Sequence, residues 1–207
     1  MIGVFGGTFD PVHFGHLRSA LEVRQHLGLH ELRLVPCRVP PHRGEPVASV
    51  KQRVTMLKLA VDDQAGLILD QRELQREGPS YMVDTLESLR REVGEMPLCL
   101  IMGMDTFQGL PQWHHWTRLI EYAHVIVMTR PGWNISSEGG LGDFVRKRKV
   151  AEQRRLRDES AGYVYLYEVT QLEISASDIR RQLAIGHSPR YLLPDQVLEF
   201  IESEGIY

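Results

Sequence analysis

Apolar positions along the 207 residues fall into two interleaved patterns. Short continuous runs recur at residues 1–5 (MIGVF), 31–36 (ELRLVP), 67–69 (LIL), 98–102 (LCLIM), 123–128 (AHVIVM) and 163–169 (YVYLYEV). Runs of this length, rich in Val, Ile and Leu, predict strands covered on both faces. Between them, apolar residues return every three or four positions. Leu17, Ala20, Leu21 and Leu27 share one face of a helix over 17–27, with a helix-like run already starting at Phe14 and Gly28 to end it. Val50, Val54, Leu57 and Val61 do the same over 49–61. Further helices are predicted over 82–93, 106–110, 144–158 and 195–204, and one begins near Ser175. Strand, helix and strand in close succession make a βαβ unit, so the sheet starts out parallel. Continued alternation predicts an α/β fold, a doubly wound and mainly parallel sheet. One domain over 1–207 is expected, with a small helical part from about residue 170.

The first strand runs into the richest stretch of the chain, GVFGGTFDPVHFGH at 3–16. Gly6 and Gly7 carry no Cβ, so backbone N–H groups there can approach an anion. Thr8 adds a hydroxyl, and Asp10-Pro11 sets a turn. His13 and His16 lie three apart, which puts both imidazoles on one helical face beside a helix N-terminus. Such an arrangement suits phosphate. No GxxxxGK[ST] and no GxGxxG follows the strand, so neither a P-loop nor the dinucleotide fingerprint is present.

Other candidate chemistry is spread along the chain. The loop 37–48 holds Pro40, Pro41 and Pro46 and presents His42 and Arg43; taken alone it reads as a solvated Pro-rich loop. Ser80 is a plausible cap for the helix 82–93, whose first turn could receive a carboxylate. Asp105, just past the strand 98–102, is placed either to accept from ribose hydroxyls or to cap the next helix. Trp113 and Trp116 flank His114-His115; indoles in a polar loop cover a core edge or stack on a ligand. Adjacent histidines are expected to point apart, and no third ligand is evident, so a metal site is not read here. Ser175, Ser177 and Arg180 bring hydroxyls, free amides and a guanidinium to one helix start, as a polyphosphate needs. Residues 72–77 read as a charged, solvated stretch.

Composition narrows the function classes. Apolar residues make up 43%, enough for a sizeable core. No apolar run reaches the length of a membrane span, and no basic region followed by an apolar core suggests a leader. Cys37 and Cys99 form no CxxC, which fits a reducing cytoplasm. The net charge of −3 argues against a general nucleic-acid binder but leaves room for a local cationic cluster. Arg146, Lys147, Arg148, Lys149, Arg154, Arg155 and Arg157 crowd the helix 144–158, which reads as a solvated face rather than an RNA-binding patch, so no nucleic-acid partner is expected.

The strand, Gly-Gly turn and HxGH resemble the nucleotidyltransferase superfamily that shares this motif with class I aminoacyl-tRNA synthetases. The longer string GGTFDPVHFGH resembles the bacterial nicotinate-nucleotide adenylyltransferase family. Four later segments follow in the same order: VPPHR, GPSYMVDTL, GMD and ISASDIR. Arg43 stands where Lys is common, Met82 where Thr is usual, and Ala176 replaces one hydroxyl. The resemblance implies a Rossmann-like nucleotidyltransferase fold and transfer of AMP from ATP to nicotinate mononucleotide, with Mg²⁺ held through ATP phosphates. It implies an ATP side of Gly6, Gly7, Thr8, Phe9, His13, His16, Gly103, Asp105, Ser175, Ser177 and Arg180, with His13, His16 and Arg180 catalytic. It implies an acceptor side of His42, Arg43, Tyr81, Thr85, Trp113 and His114. Rival readings are a sister enzyme using nicotinamide mononucleotide or phosphopantetheine, a nucleotide sensor without turnover, and an RNA-binding module.

Overall fold

The computed structural model describes residues 1–40, 44–129 and 139–207. His42 and Arg43 therefore lie outside the described residues, as does most of the Gly- and Ser-rich loop expected over 133–142. Among the described residues six strands form one sheet: β1 (Ile2–Gly7), β2 (Glu31–Pro36), β3 (Leu67–Leu69), β4 (Leu98–Gly103), β5 (His124–Thr129) and β6 (Val164–Glu168). Their order is β3-β2-β1-β4-β5-β6, and each neighbouring pair is parallel. The helices are α1 (Phe14–Leu27), α2 (Val50–Val61), α3 (Met82–Val93), α4 (Met104–Gln108), α5 (Leu119–Tyr122), α6 (Gly139–Arg148), α7 (Ala176–Ala184) and α8 (Asp195–Glu204).

The two faces of the sheet explain why the strand runs are apolar throughout. Phe5, Leu34, Cys99, Ile101 and Ile126 join the apolar cluster of α1, α2 and α8. Their neighbours Val4, Val35, Leu98, Leu100 and Val125 join the cluster of α3, α4 and α6. Successive side chains point to opposite faces, and both faces are covered. Helix ends carry their own signals. Gly28 closes α1 in the left-handed conformation at φ 60°. Ser49 and Gln52 form a capping box at the start of α2.

From β1 the chain runs outward to β3, then returns to β4 beside β1 and runs outward to β6. At that reversal the connections leave β1 and β4 on opposite faces, and a crevice opens beyond their carboxyl ends. Among the described residues no helix is long and apolar enough to cross a membrane.

Several expectations need correction. The helix expected over 144–158 ends at Arg148, because Lys149 pairs with Val164 and the Val150 N–H bonds the Val164 carbonyl. A 3₁₀ turn (Gln153–Arg157) follows, held down by fully buried Leu156. Residues 72–77 are not simply solvated. Arg72–Gln75 is a 3₁₀ turn with Glu73 buried, and Arg72 reaches Asp70 and Glu92 at 2.7 Å each. The short helix after β4 starts two residues early, with Gly103 at its N-cap, so Asp105 sits in the first turn rather than capping it. Ser80 does not cap α3; Tyr81 occupies that position, and the Ser80 hydroxyl accepts the Arg38 N–H at 2.9 Å.

Candidate active site

A cleft of about 960 Å³ opens at the reversal between β1 and β4. The loop after β1 forms its floor, and the first turns of α1, α3, α4 and α7 form its walls. Every residue expected on the ATP side borders it: Gly6 to Phe9, both histidines, Gly103, Asp105, Ser175, Ser177 and Arg180. On the acceptor side Tyr81, Trp113 and His114 border it too.

The histidines are held by local geometry. His13 is the N-cap residue of α1, with extended backbone, and its carbonyl accepts the N–H groups of His16 and Leu17. The two rings stack with centroids 3.8 Å apart. The His16 ring also meets the edge of Phe9 at 5.1 Å, so an aromatic wall stands behind the pair. Gly15 lies under the His13 ring; a Cβ there would come within 2.9 Å of the imidazole. Burial pulls the His13 pKa down to about 4, because the apolar surroundings penalise the charged ring. Its Nδ1 has no hydrogen-bond partner among the described residues. At neutral pH His13 is therefore a neutral imidazole. The Phe14 N–H is taken by the Leu192 carbonyl, so α1 offers fewer free amides than its sequence suggested.

The start of α7 also borders the cleft, close to the start of α1. The Ser175 hydroxyl caps the helix by accepting the Asp178 N–H at 3.1 Å. Arg180 lies one turn on. Its Nη1 donates to the Asp10 carbonyl at 2.5 Å and its Nη2 to the Ser177 hydroxyl at 3.3 Å. The guanidinium is only partly committed, and its remaining N–H groups can serve a ligand. The segment before α7 is tied back to α1, since Glu22 accepts the Thr170 N–H at 2.7 Å. Arg18, bonded to Glu22 at 2.6 Å, and that N–H hold the Glu22 carboxyl below its usual range against the opposing effect of burial.

On the acceptor side, His114 stacks on Tyr81 with centroids 4.3 Å apart. His115 lies against His114 at 3.9 Å, so the two rings do not point apart as expected. Trp116 packs on Phe144 at 5.2 Å, while Trp113 is half-buried at the cleft. Met82 crosses toward β1, where its methyl group fills the space a Gly6 side chain would need. Thr85 departs from expectation. It is fully buried and does not border the cleft; its hydroxyl donates to Glu73 at 2.6 Å and accepts from Arg76 at 2.9 Å. Arg76 also reaches the Tyr81 carbonyl at 3.3 Å. Thr85 therefore braces the start of α3 and cannot touch a ring in the cleft directly. Burial raises the Glu73 carboxyl, partly offset by Thr85 and Arg76.

Several supporting residues had no reading in the sequence. By sequence Asp10 reads only as a turn residue, yet its buried carboxylate accepts the Val47 and Ala48 N–H groups at 2.8 and 3.0 Å and the Tyr207 hydroxyl at 2.6 Å. The contact with Asp10, together with burial, raises the Tyr207 hydroxyl pKa. Tyr207 is 197 positions away from Asp10, and no local pattern announces the pair. Glu73 and Arg76 sat inside a string that looked solvated.

Comparisons with known proteins give the family and the fold. Residues 4–182 match the family described as Cytidylyltransferase-like. A protein of Methylococcus capsulatus named probable nicotinate-nucleotide adenylyltransferase is 53% identical over 208 residues, covering 100% of this chain and 99% of its own. One of the same name from Halorhodospira halophila is 49% identical, over 100% of this chain and 94% of its own. Among solved structures, the Plasmodium falciparum nicotinic acid mononucleotide adenylyltransferase complexed with NaAD superposes with a TM-score of 0.76 at 16% identity, covering 100% and 96% of the two chains. At that identity the likeness carries the fold alone. Fold, motif order and full-length identity converge: the chain belongs to the nicotinate-nucleotide adenylyltransferases, within the Cytidylyltransferase-like family.

Proposed function

We propose that the cleft joins ATP and nicotinate mononucleotide by in-line attack of the acceptor phosphate on the α-phosphorus, giving nicotinate adenine dinucleotide and pyrophosphate. As a member of its family the chain is a nucleotidyltransferase enzyme of NAD biosynthesis. One observation carries the reading of the site. The stacked His13–His16 pair after β1 and the Ser177–Arg180 pair on α7 border one and the same cleft.

The acceptor phosphate is already a nucleophile, so no protein nucleophile is needed. Catalysis then rests on placing two anions together and stabilising the charge that develops between them. His16 and His13 donate to the triphosphate; a bound phosphate supplies the countercharge that offsets the cost of protonating the buried His13 ring. Arg180 and Ser177 take the departing pyrophosphate, and Thr8 and the Gly6-Gly7 backbone the remaining oxygens. Asp105, exposed in the first turn of α4, accepts from the adenosine ribose. Mg²⁺ would enter on ATP oxygens and neutralise phosphate charge. The donor set supports that route: Asp10 and Glu73 spend their carboxylates on protein donors. Trp113 and the Tyr81–His114 stack take the pyridine ring, and the first turn of α3 takes its carboxylate. Two free thiols, Cys37 and Cys99, support a reducing cytoplasmic setting.

Acceptor choice tests the proposal. Pyrophosphate release is measured with ATP and Mg²⁺ and, separately, nicotinate mononucleotide, nicotinamide mononucleotide and phosphopantetheine. The acid should exceed the amide in kcat/KM by about a hundredfold, because an amide leaves a backbone donor unpaired. Equal rates for acid and amide would show that the donors do not read the carboxylate. Turnover with phosphopantetheine alone would refute the acceptor assignment.

A further inference from the structure

The floor of the cleft is held from behind by a side chain that never reaches it. Arg53, on α2, is 1% exposed and does not border the cleft. Its Nη1 donates to the Thr8 carbonyl at 2.8 Å, its Nε has no hydrogen-bond partner, and no carboxylate pairs with it among the described residues. Asp10, in the same loop, instead gives its carboxylate to Val47, Ala48 and Tyr207 and lies 3.8 Å from the Arg180 guanidinium. A buried charge is normally paired, since water no longer stabilises it.

The loop carbonyls show where the compensating charge belongs. The Thr8 carbonyl turns back to Arg53, and the Gly7 carbonyl turns back to the Cys37 N–H at 3.0 Å. Both peptides are trans, so the N–H groups of Thr8 and Phe9 point the opposite way, toward the cleft that both residues border. Phe9 adopts the left-handed conformation, φ 51°, which curves the loop. Successive amides on such a curve form a concave anion site.

We propose that Arg53 is a positioning residue for the triphosphate: it fixes the Thr8–Phe9 amides toward the phosphates and supplies an uncompensated positive charge behind them. The inference rests on the triphosphate occupying this loop. It assigns to α2 a part in phosphate binding that no lining residue of α2 would reveal.

Titration calorimetry on the full chain tests it, with magnesium pyrophosphate and nicotinate mononucleotide as separate probes. Arg53→Gln removes the charge, and its shorter amide falls short of the Thr8 carbonyl. It should bind pyrophosphate about tenfold or more weakly, with acceptor affinity within about twofold of the parent. Arg53→Lys keeps the charge and should stay within about threefold for pyrophosphate. A folded Gln variant with parental pyrophosphate affinity overturns the proposal. If the Gln variant does not fold, the Lys variant decides, and a tenfold loss there would show that donor geometry rather than charge matters. A parent chain that binds no pyrophosphate would refute the placing of the triphosphate itself, an outcome visible before any variant is compared.

Discussion

Gly15→Ala separates catalysis from stability. Gly15 is the second residue of α1, and its φ is not in the left-handed region, so alanine fits the backbone. In a helix, Ala is favoured over Gly by up to about 1 kcal/mol. The added Cβ would lie 2.9 Å from both Cε1 and Nδ1 of His13, and 3.4 Å from the Ile174 carbonyl oxygen. Ordinary carbon contacts begin near 3.5 Å, so the imidazole must withdraw by about 0.6 Å. It has little room: the ring is buried and stacked on His16 at 3.8 Å. A misplacement of about 1 Å can cost on the order of a hundredfold, so kcat should fall by about ten- to a hundredfold. The melting temperature should stay within about 4 °C of the parent, since 1 kcal/mol moves a chain of this size by about 2–4 °C. Pyrophosphate release at saturating substrates gives kcat, and circular dichroism gives the melt. A parental kcat would refute the steric reasoning. A collapse of both would show that the backbone, not the ring, yields.

Three further outcomes follow from the site. His16→Ala should lower kcat by about a hundredfold while changing KM far less, because a donor aimed at developing charge acts mainly in the transition state; comparable kcat in steady-state assays would contradict it. Arg180→Ala should weaken ATP and pyrophosphate alike and spare the acceptor, which calorimetry with each ligand reads directly. His13 makes the folded state acid-sensitive. Its pKa is about 4 when folded against an ordinary 6.5, so the unfolded chain takes up the proton more readily. The stability is therefore present above pH 6.5 and lost as pH falls toward 4, by on the order of 3 kcal/mol. Urea denaturation across that window should show a shallower pH slope in His13→Asn than in the parent.

Local pattern alone determined the strands and most of the helices. The runs of β1, β2 and β4 are continuous because each strand is covered on both faces, and the helices repeat at their natural period. Ordered motifs likewise marked the residues around the phosphate end of the cleft, since glycines, HxGH and ISASDIR each carry their chemistry within a few positions. Strand order decided the rest. It brings β1 beside β4, so that the loops after both strands border one crevice, which the start of α7 also borders. Period-based reading failed where a tertiary partner outcompeted the local preference: Lys149 left its helix to pair with Val164, and Glu73 was buried by Thr85 and Arg76. Tyr207 on Asp10 and Arg53 on the Thr8 carbonyl are contacts across 197 and 45 positions. Such bonds satisfy buried polar groups that only the packed chain creates, so no window of sequence contains the reason for them.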